Sequence, residues 1–475
     1  MHVRAISNSI LLVILFTSLS SAQLPLAPPS PAPDDRLKTD IMVIVAHEDD
    51  ETTMIGYLAR ALYDENKRVA VVIVTSGGGG KNRYGSEEGA SLALVRQMEA
   101  RGALASLGVL DVWFLDAAEV LDNDPLWSLE HFPHGSTLEK TVRLIRLMRP
   151  EVVLTWLPDY VVGENHSDHQ ATGILATEAF DLAGDPVAYP EQVTPARDYR
   201  RVANLTEGLQ PWQPQKLYYV TDASHLDFTE GQGPVYSTTD VSPARHVPYY
   251  KLLAQEESFY LSQAEGLPAK KALAQGDLHE YQQPEHFILG KSLVKCSTTG
   301  DIFEGVVPSP IPFAPAHGYQ PEPREGVSLE LGSPWAFYRK FWRAHNIEHI
   351  AQILAPEKAL WKSGALQVPL LLHNDTDQAQ EIDLAVTLPA GWKELEGTAR
   401  YPVRAHSAYP VRSEYTRPPL SSAQWQVLTW NAVVNGTRVG SVSLRVFADP
   451  SGEAIWPAAV PRPTGVDIFP IDRER

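Results

Sequence analysis

Asp40-Ile41-Met42-Val43-Ile44-Val45-Ala46-His47-Glu48-Asp49-Asp50-Glu51 is the stretch on which the fold turns. Six consecutive apolar residues, Ile41 to Ala46, are what a strand buried on both faces requires. Four carboxylates and a histidine follow at once. Val69 to Thr75 reads as a second buried strand, Asp111 to Leu115 as a short one, and Glu151 to Trp156 as another. Between them lie helical stretches at Glu51 to Leu62, Glu88 to Leu107 (stopped by Gly108), Thr137 to Met148 and Ser167 to Leu182. Strands alternating with helices predict an α/β unit built on a doubly wound parallel sheet. Lys216 to Val220 adds a strand, and Val247 to Glu265 reads as helical.

The alternation changes further along. Six prolines between Pro308 and Pro323 mark a boundary. Beyond it Val368 to His373, Glu381 to Leu388, Gln426 to Val434 and Gly440 to Phe447 alternate with period two, predicting an all-β sandwich separable from the first unit. Leu388-Pro389-Ala390-Gly391-Trp392, between two of these strands, resembles immunoglobulin-like modules of extracellular glycan enzymes.

Arg4, the apolar run Ile10 to Phe16 and the small residues Ser20-Ser21-Ala22 read as a cleaved signal peptide at 1–22. The run is too short to span a bilayer, no Cys follows it, and no later stretch reaches spanning length without charge. The expectation is a secreted or periplasmic protein with no stable membrane span after signal removal. The resulting division is a Pro-rich linker at 23–38, an α/β domain at 39–300, a second Pro-rich linker at 301–335, the sandwich at 336–455 and a tail at 456–475.

The chain has 475 residues, 40 Lys+Arg against 58 Asp+Glu and a formal charge of −18. Such an acidic chain repels phosphate backbones, so nucleic acid is not an expected partner. A single cysteine, Cys296, excludes an intrachain disulfide framework and any Cys-rich zinc module.

Two polar clusters carry the candidate chemistry. The first is His47-Glu48-Asp49-Asp50-Glu51, at the carboxyl end of the first strand, where open α/β sheets bind ligands. Crowded carboxylates repel unless a cation or proton compensates. An acidic first turn of a helix is the plainer alternative. The second is His166-Ser167-Asp168-His169, which follows the strand ending at Trp156 and falls at the same sheet edge; surface-loop histidines are its plainer alternative. Two His and one Asp make a mixed set suited to zinc with open positions.

Ala-His-x-Asp-Asp-Glu after a first strand, with His-x-Asp-His after a later one, resembles the PIG-L/LmbE-type zinc-dependent de-N-acetylases. Arg96-Gln97-Met98-Glu99 and Pro214-Gln215-Lys216-Leu217-Tyr218 also match. The resemblance spans about Thr39 to Leu293. It implies a Rossmann-like sheet, Zn2+ held by His47, Asp50 and His169, Asp49 as general base, and His166 as the group facing the oxyanion, oriented by Asp168. It implies removal of acetyl from an N-acetylated sugar or glycoconjugate. The family usually has Pro where this chain has Glu48, which adds charge at the rim of the site. Glu51 would stand behind the ligands, fixing a His tautomer, or be a first-turn acid.

A glycan-binding protein with a structural or inactive zinc site is the rival from another class, and a Mg2+ phosphoesterase a second enzymatic one. Ser76-Gly77-Gly78-Gly79-Gly80-Lys81 lacks the residues of a phosphate loop at 75 and 82 and reads as a flexible loop at the rim. Arg83, Tyr84 and Arg96 are candidate substrate contacts, with an ion pair to Glu99 or Glu88 the alternative for Arg96. The aromatic cluster Trp335, Phe337, Tyr338, Phe341, Trp342 serves either sugar stacking or packing between domains.

Overall fold

The computed structural model describes residues 35–120, 124–163, 166–193, 209–308, 311–315, 318, 324–360 and 365–449. The expected signal peptide, nearly all of the first linker and the tail lie outside them.

β1 (Ile41–Val45) is buried at every residue. It lies at the centre of a six-stranded sheet with β2 (Val69–Thr75), β3 (Asp111–Ala117), β4 (Val152–Trp156), β5 (Lys216–Val220) and β8 (Ile288–Ser292), in the order β3-β2-β1-β4-β5-β8. The first five strands run parallel, with Ile41 opposite both Val69 and Val152. β8 pairs antiparallel with β5, so the sheet is mixed rather than wholly parallel. An edge strand with one neighbour needs no buried crossover, and the burial along β8 is correspondingly patchy. The two-residue strands β6 (Val235–Tyr236) and β7 (Glu285–His286) pair in the excursion that leads to it.

Side chains alternate across β1 and feed two cores. Ile41, Val43 and Val45 pack with Leu58 of α1 (Ile55–Tyr63), Leu104 of α2 (Ala90–Leu107) and Leu252 of α7 (Tyr249–Glu257). Met42 and Ile44 pack on the other face with Val142 and Ile145 of α4 (His134–Met148) and Ile174 of α5 (Ser167–Leu182). Helices therefore cover both faces, and the carboxyl ends of the strands are where such a sheet presents polar chemistry. The remaining helices α3 (Pro125–His131), α6 (Pro190–Val193) and α8 (Gly266–Gln275) complete the described part of this unit.

The helix expected from Glu51 begins at Ile55, after a 3-10 turn over Asp50–Met54. The Asp50 carboxylate folds back to accept from the N–H groups of Ala46 and His47, each at 2.8 Å, which tightens this turn. The N–H groups of Gly56 and Tyr57 then find their acceptor in trans, donating to the buried Glu285 carboxylate at 2.7 and 2.6 Å. The helical reading of Val247 to Glu265 divides into α7 and, after a turn, the start of α8 at Gly266.

The C-terminal unit comprises β9 (Val327–Leu331), α9 (Pro334–Ala344), α10 (Ile350–Ile353), β10 (Glu357–Leu360), β11 (Leu366–Asn374), β12 (Gln380–Thr387), β13 (Lys393–Glu396), β14 (Arg400–Val403), β15 (Ser407–Thr416), β16 (Gln424–Val434) and β17 (Thr437–Ala448). Sheets β10-β17-β16-β12-β14 and β13-β15-β11-β9 enclose one core, with Val368, Leu370 and Tyr415 from one and Leu384, Trp430 and Leu444 from the other. β9 lies within the 301–335 stretch read as linker. Helix α9 inserts Tyr338, Phe341 and Trp342 into the core that holds Met42 and Ile44. The aromatic cluster thus packs between the units and ties them together, so the sandwich is not set apart by the Pro-rich stretch alone.

Candidate metal centre

Both polar clusters come together at the carboxyl ends of β1 and β4. Asp50 is fixed first. Its Oδ2 accepts from the backbone N–H groups of Ala46 and His47 and from Trp156 Nε1 at 2.7 Å. That leaves Oδ1 facing two imidazoles, at 3.5 Å from His47 Nδ1 and 3.2 Å from His169 Nε2. The two ring nitrogens are themselves 3.2 Å apart. Three donor atoms at the corners of a triangle with 3.2–3.5 Å edges suit one small cation. Tetrahedral zinc with ligands at ~2.0–2.1 Å gives donor–donor edges of about 3.3 Å.

Each imidazole turns its other nitrogen to a carboxylate. His47 Nε2 faces Asp168 Oδ2 at 3.5 Å, and His169 Nδ1 faces Asp222 Oδ2 at 3.6 Å. Carboxylates behind histidines in this manner fix ring orientation and raise basicity toward a metal. The Trp156 ring stacks on His169 at 4.1 Å and 4°, holding it from the side.

His166 lies against both rings, 4.9 Å from His47 and 4.1 Å from His169 between centroids. A ligand nitrogen from each of His47, His166 and His169 falls within 4.8 Å of the others. His166 caps α5, its Nδ1 accepting from the backbone N–H of Asp168 at 3.2 Å. The expected orientation of His166 by the Asp168 carboxylate is therefore corrected. That carboxylate accepts from Val120 N at 2.8 Å and faces His47, while the Asp168 main chain meets His166.

The electrostatics favour a cation. Burial opposes charge on His47, but Asp50 and then Asp168 outweigh it and hold its pKa well above the ordinary value. On His169 burial is likewise outweighed, by Asp50 and then Asp222. Burial also opposes charge on Asp50, yet His169 and His47 hold its carboxyl well below the usual range. These groups take up positive charge as protons where a metal would supply it. His166 differs: burial, then His169 and His47, push its pKa well down, so it stays neutral beside the two charged rings. Burial and then Asp50 push the Asp49 carboxyl up to about 6.

Other expectations are revised. Glu48 is fully buried, not at the rim. Its Oε1 lies 3.7 Å from Arg96 Nη1, and burial followed by Glu119 pushes its pKa up to about 8. Arg96, a candidate substrate contact, is itself buried on this pair and reaches neither Glu88 nor Glu99; the Glu99 carboxylate accepts from Ser262. The glycine run is seated on these charges. A Cβ on Gly77 would fall 1.7 Å from Glu48 Oε1, one on Gly79 2.2 Å from Glu119 Oε2, and one on Gly80 2.7 Å from Arg96 Nη2. Gly77 also has φ +80. The loop is thus packed down on its glycines, and Arg83 and Tyr84 stand exposed beyond it. Gly77→Ala is expected to cost about 1–3 kcal/mol through overpacking, read by urea unfolding. Adding Glu48→Ala should return only the overpacking share of the loss, because the left-handed backbone at Gly77 strains any side chain, and independent, additive effects would refute the contact. Glu51 fixes no histidine: Tyr260 OH donates to it, within a buried set that includes Glu256.

Trp156 and Asp222 escaped the sequence reading as site residues. Both lie at the carboxyl ends of strands, Trp156 closing β4 and Asp222 two residues past β5. That position was the available signal.

Two imidazoles and a carboxylate around one point, with acids behind the imidazoles, define a donor set for a divalent cation at the switch edge of an α/β sheet. Residues 42–180 match the model of the PIG-L family, described as GlcNAc-PI de-N-acetylase. The chain is 28% identical over 184 residues to a 1D-myo-inositol 2-acetamido-2-deoxy-alpha-D-glucopyranoside deacetylase of Streptomyces scabiei, covering 35% of this chain and 56% of the relative. It is 29% identical over 194 residues to a mycothiol S-conjugate amidase of Streptomyces coelicolor, covering 38% and 59%. The chain thus spans somewhat over half the length of the curated relatives it matches. Among solved structures, an N,N'-diacetylchitobiose deacetylase from Pyrococcus horikoshii aligns at 19% identity and a TM-score of 0.34, over 57% of this chain and 87% of that one.

Proposed function

We propose that this protein is a zinc-dependent hydrolase that removes the acetyl group from an N-acetylglucosamine-type sugar. The observation that carries the reading is the triangle of His47 Nδ1, Asp50 Oδ1 and His169 Nε2. The PIG-L match over 42–180 and a curated relative that deacetylates an N-acetylglucosaminyl inositol support the substrate class.

His47, Asp50 and His169 would hold the ion. When bound, zinc supplies Lewis-acid polarisation of an amide carbonyl and makes water a competent nucleophile near neutral pH. Asp49, between the acidic ligand and Glu48 in the chain, takes the proton from the attacking water and passes it to the departing amine. Acetate and the free amino sugar are the products. His166, beside both ligating imidazoles, faces the oxygen on which negative charge develops. Asp168 and Asp222 keep His47 and His169 in the tautomers that present Nδ1 and Nε2, respectively, to the ion. We further propose export to a secreted or periplasmic location, on the N-terminal signal pattern; none of the described helices is long and apolar enough to cross a membrane.

The test is incubation of the zinc-loaded protein with a panel of N-acetylglucosamine-containing glycans, measuring acetate and free amine. Equal release of both from at least one glycan is the expected result. Tight binding of a glycan with neither product would favour the glycan-binding alternative.

A further inference from the structure

The C-terminal unit grips the segments that surround His169. Tyr338 OH of α9 donates to Gln170 Oε1 at 2.6 Å, one residue from His169. Ala359 N of β10 donates to the Tyr160 hydroxyl at 3.2 Å, in the loop that leads from β4 towards His166. Glu357 of β10 does most. It is 3% exposed, accepts from Val162 N at 3.3 Å, and faces His225 Nε2 at 3.1 Å through the same oxygen. Its other oxygen pairs with Arg445 Nη1 of β17 at 2.8 Å.

Val162 and His225 belong to two loops closed upon each other. Ser224 N and Oγ donate to Val162 O at 2.7 and 2.8 Å, and Gly163 bridges Ala223. The approach is close enough that a Cβ on Gly163 would lie 2.5 Å from Asp222 O. One loop leads to His166, and the other carries Asp222 against His169. A buried carboxylate of the β-unit thus holds the Val162 main chain and the His225 side chain, one from each of these two loops.

We propose that Glu357 is a positioning residue of the metal centre, acting through Val162 and His225 on the loop pair that sets Asp222 behind His169. The C-terminal unit is on this view part of the catalytic apparatus. The inference rests on the metal-site reading above. Losing a group that orients a ligand typically costs about 10–100-fold in metal affinity.

The experiment measures affinity for zinc ion alone, by competition with a chelating dye, on folded full-length protein. Glu357→Ala is expected to weaken zinc binding about 10-fold, the low end for a lost outer partner, because it acts through Val162 and His225 rather than on a ligand. Glu357→Gln, which retains an acceptor for Val162 N, should recover most of that loss. Leu370→Ala, in the sandwich core and away from the loops, should lower thermal stability and leave zinc affinity unchanged. Wild-type zinc affinity in Glu357→Ala overturns the proposal, as does an equal loss in Leu370→Ala, which would reduce the effect to general destabilisation. Should Glu357→Ala fail to fold, His225→Ala removes one of the two loop contacts and decides the matter by the same readout. Wild-type protein that takes up no zinc overturns the metal reading itself, a distinct result.

Discussion

Asp49→Asn is expected to keep its metal and lose about 10²–10⁴-fold in turnover. The substitution is nearly isosteric and leaves His47, Asp50 and His169 untouched. Asp49 makes no side-chain cap to the turn that follows, so its loss does not unpick the Asp50–Met54 segment. On the proposed mechanism, what disappears is the group that accepts the water proton. Zinc content and acetate release measured on the same preparation separate the two effects. A variant that sheds its zinc would instead make Asp49 a ligand.

Asp50→Asn should fail differently, losing metal and activity together. Oδ2 of Asp50 is held by three N–H donors, so the side chain cannot swing to offer another atom. In the amide, the oxygen satisfies those donors and an NH2 group is turned toward the two imidazole nitrogens. An anionic donor is thereby replaced by two hydrogens. The drop in zinc affinity should exceed the roughly 10–100-fold typical of losing a partner behind a ligand. Retained affinity in Asp50→Asn, paired with lost affinity in His166→Ala, would favour the set His47, His166 and His169, whose nitrogens also lie close together.

Much of this was legible in the chain because burial writes itself into composition. Ile41 to Ala46 are all buried, and an uninterrupted apolar run is the only sequence that tolerates that place. The same run fixed where His47 and Asp50 must emerge, and the place of His166-Ser167-Asp168-His169 after the strand ending at Trp156 did the same for His169. Period-two alternation likewise revealed β11, β12, β16 and β17, whose inner residues face a shared core. The remainder depends on contacts distant in sequence. Asp222 reaches His169 across 53 residues of chain, and nothing local distinguishes it from any acid after a strand. Glu48 occupies the variable position inside the motif, yet its burial is set by Gly77 and Arg96. For Tyr338 and Trp342 the aromatic pattern leaves both packing between domains and sugar stacking open, and it is the place of α9 against Ile44 and Tyr219 that makes them core. β9 lies close behind the prolines, and only its pairing with β11 marks it as the first strand of the sandwich.

The most direct test of the account is elemental analysis of protein purified without chelator, wild type beside the His47→Ala, His169→Ala double variant. One zinc per chain in the wild type, lost from the folded double variant, is the expected result. Unchanged metal content in the double variant would contradict the central assignment.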